Sequence, residues 1–323
     1  MRARGWGPFV VLAVLGFGGA AAALDAALLR VAPRAAVHTP AATSAMLLGA
    51  AWAGARAVAV GEHGVVLLAD DEGRAPPRQA QVPLDATLTA VHFADERHGW
   101  AVGHWGAIVA SDDGGATWRR QRLDLDEDRP LFAVHFFDAR HGVAVGLWSL
   151  VLTTDDGGRS WRQRELAPPP GAAKADLNLW SLFADREGRV YATGERGFVL
   201  RSDDRGATWR YLATGYNGSL WSGIALGGGA LVVGGQRGSL WRSDDDGASW
   251  RAVDLGARQS VTAFAARGDT VVAVGLDGLV ATSADGGRSF VLQPREDRLS
   301  LTAVLAAGDG RFPMWSRAGA VPP

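Results

Sequence analysis

Short apolar runs that end in glycine recur along most of the chain, and each is followed by polar turn residues. The runs end at Gly61, Gly103, Gly146, Gly194 and Gly275, and a VGG run carries Gly234 in the same register. Successive glycines lie 42, 43, 48, 40 and 41 residues apart. One such unit reads as four short strands, which in the second unit are Thr87–Phe93, Gly99–Gly103, Ala107–Ser111 and Trp118–Leu123. Four strands at a period near 40 to 45 residues are typical of propeller blades.

A second motif follows the apolar runs at the predicted turn between the third and fourth strands. The octapeptide SDDGGATW at 111–118 recurs at 154–161, 202–209, 243–250 and 283–290, and a worn copy lies at Ala69–Gly73. Its aspartate is expected to accept hydrogen bonds from its own turn, and the glycine two positions later to adopt positive φ. Five copies at blade spacing would lie far apart around a ring, which favours a structural role over catalysis or calcium binding. These structural aspartates are Asp113, Asp156, Asp204, Asp245 and Asp285.

The spacing also predicts how many blades the chain contains. One further step of 41 residues from Gly275 reaches Ser316, where a seventh unit begins but lacks the box and the last strand. We therefore predict an all-β fold, a seven-bladed β-propeller of four-stranded antiparallel blades with box turns, over residues 43–323. Residues 24–42 are interpreted as a tether. Within it, Arg34–Thr39 is a candidate for the missing outer strand of the last blade, which would remove an open sheet edge.

Two columns of the repeat bear on the propeller axis. A small residue recurs near the start of each first strand, where seven strands converge and crowd: Gly49, Ala90, Ala133, Ser181, Ser222, Ala263 and Ala303. Phe132, Trp180 and Trp221 occupy corresponding positions in three successive units. They form either an aromatic lip at the channel mouth or part of the core, and the sequence favours the core because tryptophan is mostly buried.

The N-terminus has the pattern of an export signal. Arg2 and Arg4 precede the apolar run Phe9–Phe17, and small residues at 18–23 offer a cleavage site. Residues 1–23 are therefore predicted to be a signal peptide and the protein to be periplasmic. The alternative is an uncleaved segment that keeps the protein at the membrane.

Overall composition removes several classes of function. The chain has 33 basic and 34 acidic residues, so it carries no electrostatic signature of nucleic-acid binding. It contains no cysteine, which excludes disulfides, thiolate metal sites and thiol nucleophiles. No metal site and no small-molecule cofactor is predicted.

The S/T-x-D-x-G-x-S/T-W boxes resemble the Asp-box, or BNR, repeat. Seven such units with strands like HGWAVG look most like the photosystem II stability/assembly factor family, and the resemblance covers about residues 44–321. It implies a non-catalytic exported propeller that acts as an assembly, stability or scaffold factor for a membrane protein complex, which in that family is photosystem II. The implied partner is a protein, and another membrane complex or a transporter stays open.

The Asp-box also occurs in sialidases and some glycosidases, so a glycoside hydrolase is the alternative. Sialidase chemistry needs a tyrosine nucleophile paired with a glutamate, an arginine cluster and an acid. Of the three tyrosines, Tyr191 and Tyr211 read as strand residues and Tyr216 as loop. No carboxylate pair stands out from the box aspartates.

The turns after the second strands are the candidate partner-binding face. Their side chains vary while the flanking residues repeat, which is typical of recognition on a fixed frame, although solvated turns also vary. The longest loop between units, Glu165–Leu177, is either a docking arm or a tolerated insertion. The candidate face residues are Glu62, His63, His104, Trp105, Trp148, Glu195, Arg196, Gln236, Arg237, Asp277 and Arg317.

Overall fold

The computed structural model describes residues 33–321, and these form seven antiparallel sheets whose strands follow one another in sequence order. Six sheets have four strands, and the last has three. This confirms the seven-bladed β-propeller. The predicted signal peptide, residues 1–23, lies outside the described residues, as does the first part of the predicted tether.

The first four blades occupy residues 47–213. Blade 1 contains β1 (Leu47–Ala53), β2 (Arg56–Gly61), β3 (Val66–Ala69) and β4 (Arg78–Gln79). Blade 2 contains β5 (Leu88–Phe93), β6 (Gly99–Gly103), β7 (Ile108–Ser111) and β8 (Arg119–Arg122). Blade 3 contains β9 (Leu131–Phe136), β10 (Gly142–Gly146), β11 (Val151–Thr154) and β12 (Arg162–Arg164). Blade 4 contains β13 (Leu179–Ala184), β14 (Val190–Gly194), β15 (Phe198–Ser202) and β16 (Arg210–Ala213).

The last three blades occupy residues 220–320. Blade 5 contains β17 (Leu220–Ala225), β18 (Leu231–Gly235), β19 (Leu240–Ser243) and β20 (Arg251–Ala252). Blade 6 contains β21 (Val261–Arg267), β22 (Thr270–Gly275), β23 (Val280–Ser283) and β24 (Val291–Leu292). Blade 7 contains β25 (Leu301–Val304), β26 (Met314–Ser316) and β27 (Gly319–Ala320).

Helical structure within residues 33–321 is limited to single turns. The worn box forms a four-residue helical turn, Asp70–Gly73, in which Asp71 and Glu72 are left-handed. Short 3-10 turns lie at Pro40–Ser44, Glu62–Gly64, His104–Gly106, Leu147–Ser149, Gly227–Gly229, Gln236–Gly238 and Leu276–Gly278. None of the helices in this range is long and apolar enough to span a membrane.

The second strand of each blade carries the apolar run that marks the repeat. Gly99–Gly103 and Gly142–Gly146 are buried at every residue, because neighbouring blades cover both faces of the sheet. The glycine that ends these runs is required for close approach. A Cβ at Gly103 would lie 2.0 Å from the Thr87 carbonyl oxygen. In blade 5 the residue at this position is Gly235, which pairs with Leu220, so the sequence register at Gly234 was wrong by one residue.

The box turns have the predicted hairpin geometry. In the first, Asp113 accepts hydrogen bonds from the Thr117 backbone N–H at 2.9 Å and from the Thr117 hydroxyl at 2.6 Å. The Ser111 hydroxyl donates to Asp113 and accepts from the Gly115 N–H, where φ is 86°. Trp118 Nε1 donates to the Gly115 carbonyl, which fixes the ring over the turn. The other four boxes repeat the carboxylate contacts.

The ring closes where blade 7 meets blade 1. Trp52 Nε1 donates to the Ala306 carbonyl at 2.9 Å, and the Thr302 hydroxyl donates to the Leu47 carbonyl. The seventh unit begins as predicted, since Ser316 pairs with Leu301 and β27 ends the sheet without a fourth strand.

The proposed closing role of Arg34–Thr39 is wrong. The Ala36 N–H donates to Val82 and the Gln79 side chain bonds to Val37 and Thr39, which places this segment on the outer edge of blade 1. The next turn, Pro40–Ser44, packs against β27. The outer-strand position of blade 7 is therefore not filled by a strand within residues 33–321.

Candidate functional site

The turns after the second strands encircle one end of the central channel, and a repeated hydrogen bond holds them there. The first turn residue donates its N–H to the residue just before the first strand of the same blade. His104 bonds Thr87 in this way, and Leu147 bonds Pro130. The same bond recurs at Glu62, Gln236, Leu276 and Arg317. The candidate face residues thus lie together around the channel mouth, and the box turns lie at the opposite ends of the third strands.

The second residue of these turns is left-handed in the first six blades. His63, Trp105, Trp148, Arg196, Arg237 and Asp277 have φ between 52° and 57°. A glycine follows five of them, whereas Ser149, itself at φ 57°, follows Trp148. The Ser149 N–H donates to the Leu177 carbonyl, and the Trp148 N–H donates to Asn178 Oδ1 at 3.2 Å. The loop Glu165–Leu177 is thereby anchored at its end.

Individual face residues differ in how free their side chains are. Glu62 accepts a hydrogen bond from the Met46 N–H at 2.8 Å. Glu195 accepts hydrogen bonds from the backbone N–H and the side-chain amide of Asn178. These two carboxylates therefore hold the backbone in place. Asp277 forms a two-point ion pair with Arg298, and this pair lowers the pKa of Asp277. Trp105 is half-buried against the core between blades 1 and 2. The exposed members are His63, His104, Trp148, Arg196, Arg237 and Arg317.

Sequence reasoning missed a ring of β-bulges at the channel mouth. In every blade the pairing of the first two strands skips the second residue of the first strand. A bulge re-aims a side chain. All seven bulge residues line a central cavity of about 450 Å³: Leu48, Thr89, Phe132, Trp180, Trp221, Thr262 and Thr302.

The small-residue column lines the same cavity, as predicted. A Cβ at Gly49 would lie 3.0 Å from the Ala90 Cα, which shows how crowded the converging strands are. The interpretation of Phe132, Trp180 and Trp221 as core residues is wrong, because all three are half-buried on the cavity wall. The sequence signal for a shared place on the cavity wall was that the three residues occupy corresponding positions of the repeat.

The described cavity wall includes no Asp, Glu, Lys or Arg. Its titratable side chain is His92, whose ring centroid lies 4.4 Å from that of His135 in the next blade. Burial, and then the charge of His135, hold the pKa of His92 well below its usual value. Burial lowers the pKa of His135 to about 4. The channel wall is therefore uncharged at neutral pH.

A buried tyrosine elsewhere lies close to arginine and aspartate side chains. Tyr191 is fully buried, and its hydroxyl lies 3.3 Å from Asp185. Burial raises the pKa of Tyr191 to about 12, so its phenolate is disfavoured. Arg189 bonds Asp185 and forms two bonds to Asp246 of the next blade, at 2.7 and 2.8 Å. This geometry is that of a brace between blades 4 and 5.

The box carboxylates are likewise engaged within their own turns. Hydrogen bonds from Ser160 lower the pKa of Asp156 to about 2, and those from Ser249 do the same for Asp245. Within residues 33–321, no group of three or more histidine and carboxylate side chains is placed to hold a metal ion.

These features define a class of protein: an Asp-box propeller that presents varied turns around the mouth of a channel with an uncharged wall. A family model described as Photosynthesis system II assembly factor YCF48 matches residues 69–132 and 121–269. The two ranges together cover more than half of the chain, and the chain belongs to this family. The description of the family names a role in assembly and names no reaction.

Solved structures show the same fold. A structure described as YCF48 bound to D1 peptide is similar with a TM-score of 0.70 and 18% identity, over 90% of this chain and 96% of that one. YCF48 from Cyanidioschyzon merolae is similar with a TM-score of 0.69 and 18% identity, over 90% and 97% of the two chains. U3-55K is similar with a TM-score of 0.67 and 11% identity, over 88% and 93%. A comparison with curated protein sequences gave no match.

Proposed function

We propose that this chain is an exported, non-catalytic assembly factor that binds a protein segment of a membrane complex through the turns around the channel mouth. Family membership carries the proposal, because the matched family is that of a photosystem II assembly factor. The similar structure described with a bound D1 peptide supports a protein partner that is part of a membrane complex. The alternative partner is another membrane complex or a transporter.

The chemistry of the channel supports binding without catalysis. Glycoside hydrolysis uses a pair of carboxyl groups or, in sialidases, a tyrosine nucleophile. The described wall of the central cavity offers no carboxylate, and Tyr191 is buried with a raised pKa. The box aspartates accept hydrogen bonds within their own turns, which is a structural use of all five.

Export is the part of the proposal that concerns the N-terminus. Two arginines, a nine-residue apolar run at Phe9–Phe17 and small residues up to Ala23 support a signal peptide, with periplasmic location after cleavage. If the segment is retained, it would hold the propeller at the membrane. Mass spectrometry of the protein from the periplasmic and membrane fractions distinguishes the two: cleavage predicts a mature N-terminus at Leu24.

Affinity purification from the native membrane fraction tests the function. The full-length chain with a C-terminal tag is expected to recover one membrane complex reproducibly, and an Asp-box propeller of an unrelated family should not recover it. Purified protein should show no turnover of sialosides or glucans. Recovery of no membrane protein, together with such turnover, would overturn the proposal in favour of a glycosidase.

A further inference from the structure

The ring of bulge residues divides the channel mouth into two chemically different sides. Blades 2, 6 and 7 contribute Thr89, Thr262 and Thr302, with Leu48 of blade 1 between them, whereas blades 3, 4 and 5 contribute an aromatic arc, Phe132, Trp180 and Trp221. The two sides occupy the same position in the repeat. Their difference is therefore one of side-chain chemistry on a common backbone.

The threonine hydroxyls are used by the framework. The hydroxyl of Thr89 lies 2.7 Å from the Leu131 carbonyl of the next blade and 3.1 Å from its own blade's Val102 carbonyl. Thr262 and Thr302 make the same pair of contacts. Each hydroxyl proton is thus directed to backbone carbonyls, and this side of the mouth joins neighbouring blades.

The aromatic arc has a different arrangement. The rings of Phe132 and Trp180 stack with their centroids 4.8 Å apart and their planes 23° apart. Trp180 Nε1 is buried and has no hydrogen-bond partner among the described residues. A buried N–H without a partner is costly, whereas the threonine hydroxyls on the other side all have partners.

The charge of the cavity restricts what can enter it. The wall described here has no Asp, Glu, Lys or Arg. A charged group would lose its hydration there without gaining a counter-charge, whereas an apolar group would gain by leaving water. A volume of about 450 Å³ lies in the range of pockets that hold a small ligand.

We propose that the aromatic arc is the anchor site for one uncharged, apolar side chain, aliphatic or aromatic, presented by an exposed loop or chain end of the protein partner. The side chain would lie against the rings of Phe132, Trp180 and Trp221. The varied turns around the mouth would contact the flanking residues of the same segment. This inference rests on the proposed function and names the chemistry of the segment that is bound.

Capped pentapeptides of serine and glycine with a variable central residue provide the probe. We expect peptides with central leucine or tryptophan to bind the full-length protein, and those with aspartate or lysine to bind at least about tenfold more weakly. A diazirine analogue of leucine at the centre should crosslink to the first strands of blades 3 to 5. Crosslinks elsewhere, equal binding of the aspartate peptide, or no binding at millimolar concentration would overturn the proposal.

Matched variants separate anchoring from folding. Trp221→Ala and Trp180→Ala should each weaken binding of the central-leucine peptide by about tenfold, because truncation of a buried anchor has an effect of this size. Thr262→Ala, at the same bulge position on the other side, should keep wild-type affinity. Thermal unfolding of each variant identifies any that fails to fold, and Phe132→Leu then serves in its place. Equal losses in the aromatic and threonine variants would overturn the anchor.

The membrane partner gives the second readout. If wild type and Trp180→Ala capture the same membrane complex equally well, the anchor is wrong and the assembly function stands. If the peptides bind as expected but no membrane protein is captured, the assembly function is wrong and the anchor site stands.

Discussion

Trp148 combines an exposed ring with a constrained backbone. Its exposed fraction is 59%, and its φ of 52° is followed by a second left-handed residue, Ser149. Two successive non-glycine residues in this region are costly and persist only where the surroundings hold them. The bonds from Ser149 to Leu177 and from Trp148 to Asn178 supply that support. The result is an exposed aromatic side chain on a constrained backbone, so this part of the backbone needs little ordering on binding.

We expect Trp148→Ala to weaken capture of the membrane partner by about tenfold, because tryptophans are frequent interface hot spots. The melting temperature should hardly change, since the ring is mostly in solvent. Quantitative pull-down with wild-type protein as reference measures the effect. Leu276→Ala, an exposed apolar side chain in the corresponding turn of blade 6, is the control. Equal losses for both variants would argue against a specific role for Trp148.

The histidine pair predicts a stability change in mild acid. The unfolded chain protonates a histidine near pH 6.5, whereas folded His135 does so only near pH 4. Between these values the unfolded state binds more protons, so stability falls as pH falls, by about 2 kcal/mol for one such histidine between pH 6.5 and 4.5. Urea unfolding at several pH values should show a shallower decline in His135→Gln. Identical slopes in variant and wild type would refute this assignment.

At the scale of the element, the box hairpin explains why so much of the fold could be predicted. The side-chain hydrogen bonds within the octapeptide join residues at most four positions apart, as between Ser111, Asp113 and Thr117. Local chemistry of this kind is visible in sequence spacing. A further contact is not local: the carbonyl that precedes the box glycine accepts from the preceding blade, as Gly114 does from Arg56 and Gly157 from Trp100.

The box turn also allows a paired test of stability. Asp113→Ala removes three hydrogen bonds to a carboxylate and should lower the free energy of unfolding by about 1–2 kcal/mol. Asp112→Ala, one residue earlier, loses only an exposed contact to Arg119 and should change it by less than about 0.5 kcal/mol. Denaturant unfolding compares the two, and partner capture should be unchanged in both. An equal cost would show that the box contacts do not stabilise the hairpin.

The channel mouth could not be predicted in the same way, and the bulge is the reason. In a regular strand, neighbouring side chains point to opposite faces. With Ser181 and Ser222 at the axis, Trp180 and Trp221 would then point into the blade, which is the core interpretation. The bulge places both neighbours on the cavity wall. Arg34–Thr39 was misplaced for a related reason, because its position on blade 1 depends on long-range contacts.

For the whole molecule, the seam between blades 7 and 1 is the point at which the ring differs from its own repeat. Blade 7 has three strands, and the turn Pro40–Ser44 packs beside β27 where other blades have a fourth strand. Blade 7 therefore lacks the backbone hydrogen bonds that a fourth strand makes in the other blades. Because local opening follows local stability, we expect the seam to open more readily than the other blade interfaces.

Two threonines at equivalent positions provide the test. Thr302 joins blade 7 to Leu47 of blade 1, and Thr89 joins blade 2 to Leu131 of blade 3, each through its hydroxyl. Threonine to valine at either site removes one such bond, worth about 1 kcal/mol. Thr302→Val should accelerate amide hydrogen exchange in β25, β26 and β1, whereas Thr89→Val should produce a smaller local change because complete blades flank it. Equal exchange in the two variants would mean that the ring is held as firmly at its closure as elsewhere, with the three-stranded blade no weaker than the rest.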